Sequence, residues 1–139
     1  MPSITIDTSR LPVLVIRFDG AVDDAAFDRY LGESHELSAG RGQSDIYAMV
    51  IDSRNGGRPT PGQRHRQNEF IKNHQDDLAN RCAGAAFVIT SAVGRGVLTA
   101  LLWVQPMPYE HVVVGTLDEA EAWCRKRLAA HGAVVKRSA

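Results

Sequence analysis

Ala85-Ala86-Phe87-Val88-Ile89-Thr90-Ser91-Ala92-Val93-Gly94-Arg95-Gly96-Val97-Leu98-Thr99-Ala100-Leu101-Leu102-Trp103-Val104 is the stretch that decides the fold. Its first residues, apolar as far as Ile89, fit a strand covered on both faces. Ser91 can cap a helix running to about Val104, and Gln105-Pro106-Met107-Pro108 stops it. A buried strand leading directly into a helix is the repeating unit of an α/β domain with a parallel sheet.

The same unit recurs on either side. Upstream, Ile46 to Ile51 is an apolar run bounded by Asp45 and Asp52, followed by a polar loop over 52–59. The next helix has the clearest start signal in the chain, with Thr60 as N-cap, Pro61 in the first helical position and Gln63 completing a capping box. Phe70, Ile71, His74 and Leu78 carry its apolar side toward Cys82. Downstream, His111 to Val114 is a short strand, and Thr116 with Glu119 opens a helix through about Ala130 that buries Ala120, Trp123, Cys124 and Leu128. At the start, the alternation Ile4-Thr5-Ile6-Asp7 and the apolar run Val13 to Phe18 are joined by a short link, which predicts a hairpin closed by Asp19-Gly20. A helix capped by Asp23, with Phe27, Tyr30, Leu31 and Leu37 on its apolar side, follows. The predicted order is β-β-α-β-α-β-α-β-α: an α/β fold with a single mixed sheet, an opening hairpin and right-handed crossovers. No repeat or linker divides the 139 residues, so 1–139 is expected to be one domain, with 132–139 as a flexible tail.

Composition narrows the function classes. At 44% hydrophobic and 23% charged the chain reads as a folded globular domain, not a disordered one. The 16 basic and 16 acidic residues cancel, and the arginine-rich segment lacks interleaved aromatics, so no nucleic-acid partner is expected. The opening residues have neither a basic nor an apolar signal region, and the longest apolar run, Val97 to Val104, is too short for stable membrane insertion. Two widely spaced cysteines, Cys82 and Cys124, suggest neither a disulfide framework nor a zinc site, and a cytoplasmic location is the expectation. His35, His65, His74, His111 and His131 form no metal-ligand run, no catalytic motif is visible, and the glycine pairs match neither a P-loop nor a dinucleotide fingerprint. No metal, cofactor or catalytic residue is therefore assigned.

The order of elements resembles the STAS domains, and more closely a SpoIIAA-like group of small bacterial proteins of unassigned function. The similarity is strongest over residues 60–124: the stretch quoted above, then Pro106, Pro108, His111, Thr116, Glu119, Ala120 and Trp123, with Pro61-x-Gln63-Arg64-x-Arg66 in the preceding helix. The resemblance implies a protein-binding switch, in some members phosphorylated on a serine or threonine after the third strand; Ser53 holds that place here.

Two further constellations come from the residues themselves. Arg54, Arg58, Arg64 and Arg66 crowd a segment with no acid between Ser53 and Asn68, near a helix start that favours anions; they are a candidate site for an anion or an acidic partner. The helix over 92–104 is apolar around most of its circumference. With Val97, Ala100, Leu101 and Val104 against the sheet, Leu98, Leu102, Trp103 and then Met107 remain as a candidate homodimer or partner interface. The expected function is that of a regulatory or scaffold domain acting by protein contact. The alternatives are a non-catalytic module for a small anionic or amphipathic ligand, and an enzyme whose site linear sequence does not show.

Overall fold

The computed structural model describes residues 2–10, 12–39, 46–56, 59–104 and 106–138, the side chains at 37–39, 101, 104 and 132–138 excepted. Its elements are β1 (Ser3–Asp7), β2 (Val13–Gly20), α1 (Asp24–Ala39), β3 (Tyr47–Gly56), α2 (Pro61–Asn73), α3 (Gln75–Arg81), β4 (Cys82–Val88), α4 (Ala92–Val104), β5 (His111–Val114) and α5 (Leu117–Ser138). The strands form one sheet in the order β1-β2-β3-β4-β5. β1 and β2 pair antiparallel, and every later neighbour pairs parallel.

The expected order is present, with the helix after β3 broken in two. The break falls at His74, whose ring nitrogen Nδ1 lies 2.8 Å from the Phe70 carbonyl, inside the helix's own ladder. The start signals act as read. Asp23 accepts from Ala26 N–H at 2.8 Å, Ser91 accepts from Gly94 N–H at 3.0 Å, and Thr60 and Gln63 close a reciprocal box. At α5, Thr116 caps Glu119 N–H, while the Glu119 carboxylate accepts from the Thr116 hydroxyl and not from its backbone. α5 runs on through 132–138, the stretch expected to be a tail.

Topology assigns the helices to faces. β2 to β5 are laid down side by side in one direction, so right-handed crossovers place α1, α2, α3 and α4 on one face. α5 leaves the edge strand and returns over the other. There, Ala120 and Cys124 lie on Val13, Ala48, Val50, Ala83, Ala86 and Val88. Mostly short side chains let α5 settle close onto β3 and β4. β4 carries a bulge here, because Tyr47 pairs with Cys82 but Met49 pairs with Ala85. Gly84 sits in the bulge; a Cβ on it would lie 2.6 Å from the Trp123 ring.

The opposite face carries larger groups, among them Leu14, Ile16, Ile51 and Phe87, under Phe27, Tyr30 and Leu98. Among the described residues, the α2 and α4 backbones come less close to the sheet than that of α5 does.

Candidate functional site

The stand-off leaves a cavity of about 400 Å3 between the sheet and its four covering helices. Its floor is Leu14, Ile16, Met49, Ile51 and Phe87 on the strands; its roof includes Tyr30 of α1, Ile71 of α2, and Val97, Leu98 and Leu102 of α4. Volume and apolar lining are those of a small-molecule site. One end opens at the carboxyl ends of the parallel strands, where Ser53, Arg54, Arg64 and Ser91 line it. The other end is lined by Tyr47, Leu78, Met107 and Tyr109. Among the described lining residues, Arg54 and Arg64 are the only charged side chains.

The four arginines of the candidate anion site separate. Arg54 donates to Asp52 through Nε and Nη2, each at 2.9 Å, and Arg17 Nε adds a third contact at 3.2 Å. Asp52 is buried, and Arg54 foremost, against the opposing cost of burial, holds its carboxyl below the ordinary range. A bulge in β3 between the Asp52 and Asn55 pairings lets Arg54 fold back this way. Arg66 ties α2 to α1, reaching Asp28 at 3.1 Å and Asp24 at 3.9 Å. Arg58 lies outside the described residues. Arg64 is exposed at the cavity mouth and has no ion-pair partner among the described residues. The segment holds no acid of its own; Asp24, Asp28 and Asp52, brought by α1 and β3, answer two of its cations.

β3 continues through Gly56, where a polar loop beginning at Asp52 was expected, because its last residues still pair with Asp19 and Gly20 of β2. Ser53 is accordingly a strand residue, half-buried and lining the cavity, with the next helix starting only at Pro61. Gln63 is buried: beyond its capping bonds it donates to the Val22 carbonyl at 2.9 Å and to Asp24 Oδ1 at 3.1 Å, joining the roof helices.

Of the α4 face expected against the sheet, Val97 lines the cavity, and the side chains of Leu101 and Val104 lie outside the described residues. Leu98 packs on Ile51, Ala85, Phe87 and Ile89, with Leu102 and Met107 bordering that cluster, whereas Ala100 is exposed. Leu98 and Leu102, spaced i and i+4, carry more apolar volume to the sheet than Val97 and Ala100 would. Gly94 lets the first turn come close, since a Cβ there would meet Ile89 Cγ2 at 2.8 Å; Gly96 faces open space. Of the four candidate interface residues, Trp103 stands out, 85% exposed, while Val93, 62% exposed, borders the cavity.

Burial pushes the Tyr30 phenol up to about 12, only partly offset by the neighbouring Gln67 and Ser34 side chains, and burial pushes the Cys82 thiol up to about 12. Both groups are neutral at ordinary pH. Among the described residues, no three His, Cys, Asp or Glu side chains gather as a metal site would require, and no helix is long and apolar enough to cross a membrane.

No protein-family model matches the chain, and no curated protein matches it significantly. Solved structures do. An uncharacterized protein from the DUF3478 family with a SpoIIAA-like fold, from Shewanella loihica PV-4, superposes with a TM-score of 0.70 at 12% identity, covering 89% of this chain and 95% of that one. An anti-sigma factor antagonist from Mycobacterium paratuberculosis superposes with a TM-score of 0.54 at 16% identity, covering 90% of this chain and 95% of that one. At these identities the likeness is one of fold: the chain has a SpoIIAA-like, STAS-type architecture.

Proposed function

We propose that this chain is a non-catalytic binding module for a small amphipathic anion, with the apolar part of the ligand in the cavity and its acidic head at Arg64. The observation that carries the reading is a preformed apolar space of about 400 Å3 with no described acidic lining residue and an unpaired arginine at its mouth. Apolar contact with the floor and roof supplies the affinity, while the guanidinium orients the head group. If each non-hydrogen atom takes the ~30 Å3 of a liquid water molecule, 400 Å3 admits about a dozen atoms, the size of decanoate.

Calorimetric titration with decanoate tests it. Saturable one-to-one binding is expected, and Arg64→Ala should weaken it by about tenfold at low salt, as loss of a charge-assisted contact does. No binding of a medium-chain carboxylate at millimolar concentration, whether decanoate or a hydroxylated form of it, overturns the reading. Binding that ignores Arg64→Ala overturns the placement of the head group.

A second reading has its own support. Trp103, Ala100 and Gly96 run along the outer side of α4, so the helix that roofs the cavity also presents an exposed aromatic. One of the fold's relatives is named for antagonism of an anti-sigma factor, and a regulatory protein contact here, with a partner or a second copy in the cytoplasm, would report on cavity occupancy. Ser53 lines the same mouth, so a phosphate placed on it would compete with an anionic head group.

A further inference from the structure

The end of the cavity away from Arg64 says more about the ligand than its mouth does. A pocket built for a plain alkyl chain would end in hydrocarbon, because a chain that covers a polar group strips it of water and offers it no partner. This one ends on Tyr109, which lies between α4 and β5 and packs on Leu14, Tyr47 and Cys82 at the edge of the sheet opposite Arg64. No hydrogen bond from its phenol is made among the described residues. Burial, with Cys82, Tyr30 and Tyr47 nearby, raises its proton affinity well above the ordinary phenol range, so it stays a neutral donor. A hydroxyl that is buried without a partner stands on the α1 wall. Ser34 Oγ is cut off from solvent, and its contact with the Tyr30 phenol falls short of hydrogen-bonding geometry.

No described cation lines this end, so a second negative charge would be desolvated there without compensation. An uncharged group is different, since one hydrogen bond satisfies both sides. Resting on the amphipathic-ligand reading, we propose that the occupant is a medium-chain carboxylate with a hydroxyl or oxo group toward its far end, received by the Tyr109 phenol. The site would then read both ends of its ligand, Arg64 the acid and Tyr109 the neutral polar group.

Decanoate and 10-hydroxydecanoate, titrated into the wild-type chain and into Tyr109→Phe, test this. A hydroxyl entering an apolar site without a partner weakens binding, so the sign of the difference discriminates. The wild type should prefer 10-hydroxydecanoate by about tenfold, and Tyr109→Phe, which keeps the ring and removes only the hydroxyl, should abolish or reverse that preference while still binding decanoate. Equal affinities in the wild type, or a preference that survives Tyr109→Phe, overturn the inference and leave the amphipathic-ligand reading standing. Failure of both compounds to bind the wild type overturns both. Circular dichroism and thermal unfolding of Tyr109→Phe establish that its binding is measured on a folded chain.

Discussion

The two faces of the sheet are built from the same strands yet pack to different densities. Under α5 the strands present Val13, Ala48, Val50, Ala83, Ala86 and Val88, and the helix answers with Ala120 and Cys124, every one of them at most 1% exposed. Beneath the other four helices the strands present Leu14, Ile16, Tyr47, Met49, Ile51 and Phe87, and a cavity remains. Short side chains let a helix backbone settle onto a sheet without voids, whereas long ones meeting long ones hold the layers apart. Stability and binding are thereby divided: the α5 face is the anchor of the fold, and the α1–α4 face is where volume is left for a ligand.

The largest effect should come from enlarging a side chain on each face in turn. Ala86→Leu inserts three carbon atoms where the layers already touch, and should lower unfolding free energy by about 3 kcal/mol, at the upper end of overpacking costs. Leu98→Phe enlarges a residue that borders the cavity and should stay within about 1 kcal/mol of the wild type. Urea unfolding with a shared m-value measures both. Equal losses would mean that the cavity face is as tightly packed as the other, and the contrast would fail.

Much of this arrangement was legible in the sequence. Caps at Asp23, Thr60, Ser91 and Thr116 mark their helices through bonds made within three residues, so local chemistry sufficed. The apolar runs around Val50 and Phe87 also identify central strands without tertiary information. What escaped depends on partners far along the chain. The arginine-rich segment gives no hint that Asp24 and Asp28, on α1, would occupy Arg66. The apolar circumference of α4 does not reveal its rotation, which was settled by Leu98 meeting Phe87 and by Gly94 meeting Ile89. A cavity is the hardest to foresee, since it is space that side chains from four helices fail to fill.

Asp52 sharpens the comparison at the edge of the sheet. Its carboxyl is held low in the folded state chiefly by Arg54, then Arg17. A carboxyl whose folded value is depressed contributes stability above its ordinary value near 3.8, and loses it as pH falls through the folded value. The wild type should therefore lose stability on acidification below about pH 4, and Asp52→Asn should lose less over the same range. At pH 7 the variant should be about 2 kcal/mol less stable, the size expected when charged hydrogen bonds are removed. Equal acid sensitivity of the two chains would show that the depressed carboxyls lie elsewhere.

On the cavity side, α4 should accept changes to its outer surface that α5 would refuse on its inner one. Gly96 has nothing within 4 Å of where a Cβ would stand, and its backbone is helical, so Gly96→Ala should stabilise the chain by up to about 1 kcal/mol through helix propensity alone. A loss of stability would place something against that surface in solution, and a partner copy would be the first suspect.

Trp103→Ala makes the smallest change to folding and the sharpest statement about that surface. The ring is 85% exposed, so its removal should alter unfolding free energy by less than about 0.5 kcal/mol. A monomer by light scattering that is unmoved by the substitution would leave α4 as the roof of a binding cavity and nothing more. A dimer that dissociates in Trp103→Ala while the monomer unfolds as before would make α4 the joint between cavity and contact. Ligand and partner would then act on opposite sides of one helix, and decanoate should shift the dimer equilibrium by the same factor as dimerisation shifts decanoate affinity, since linkage between two binding events is reciprocal.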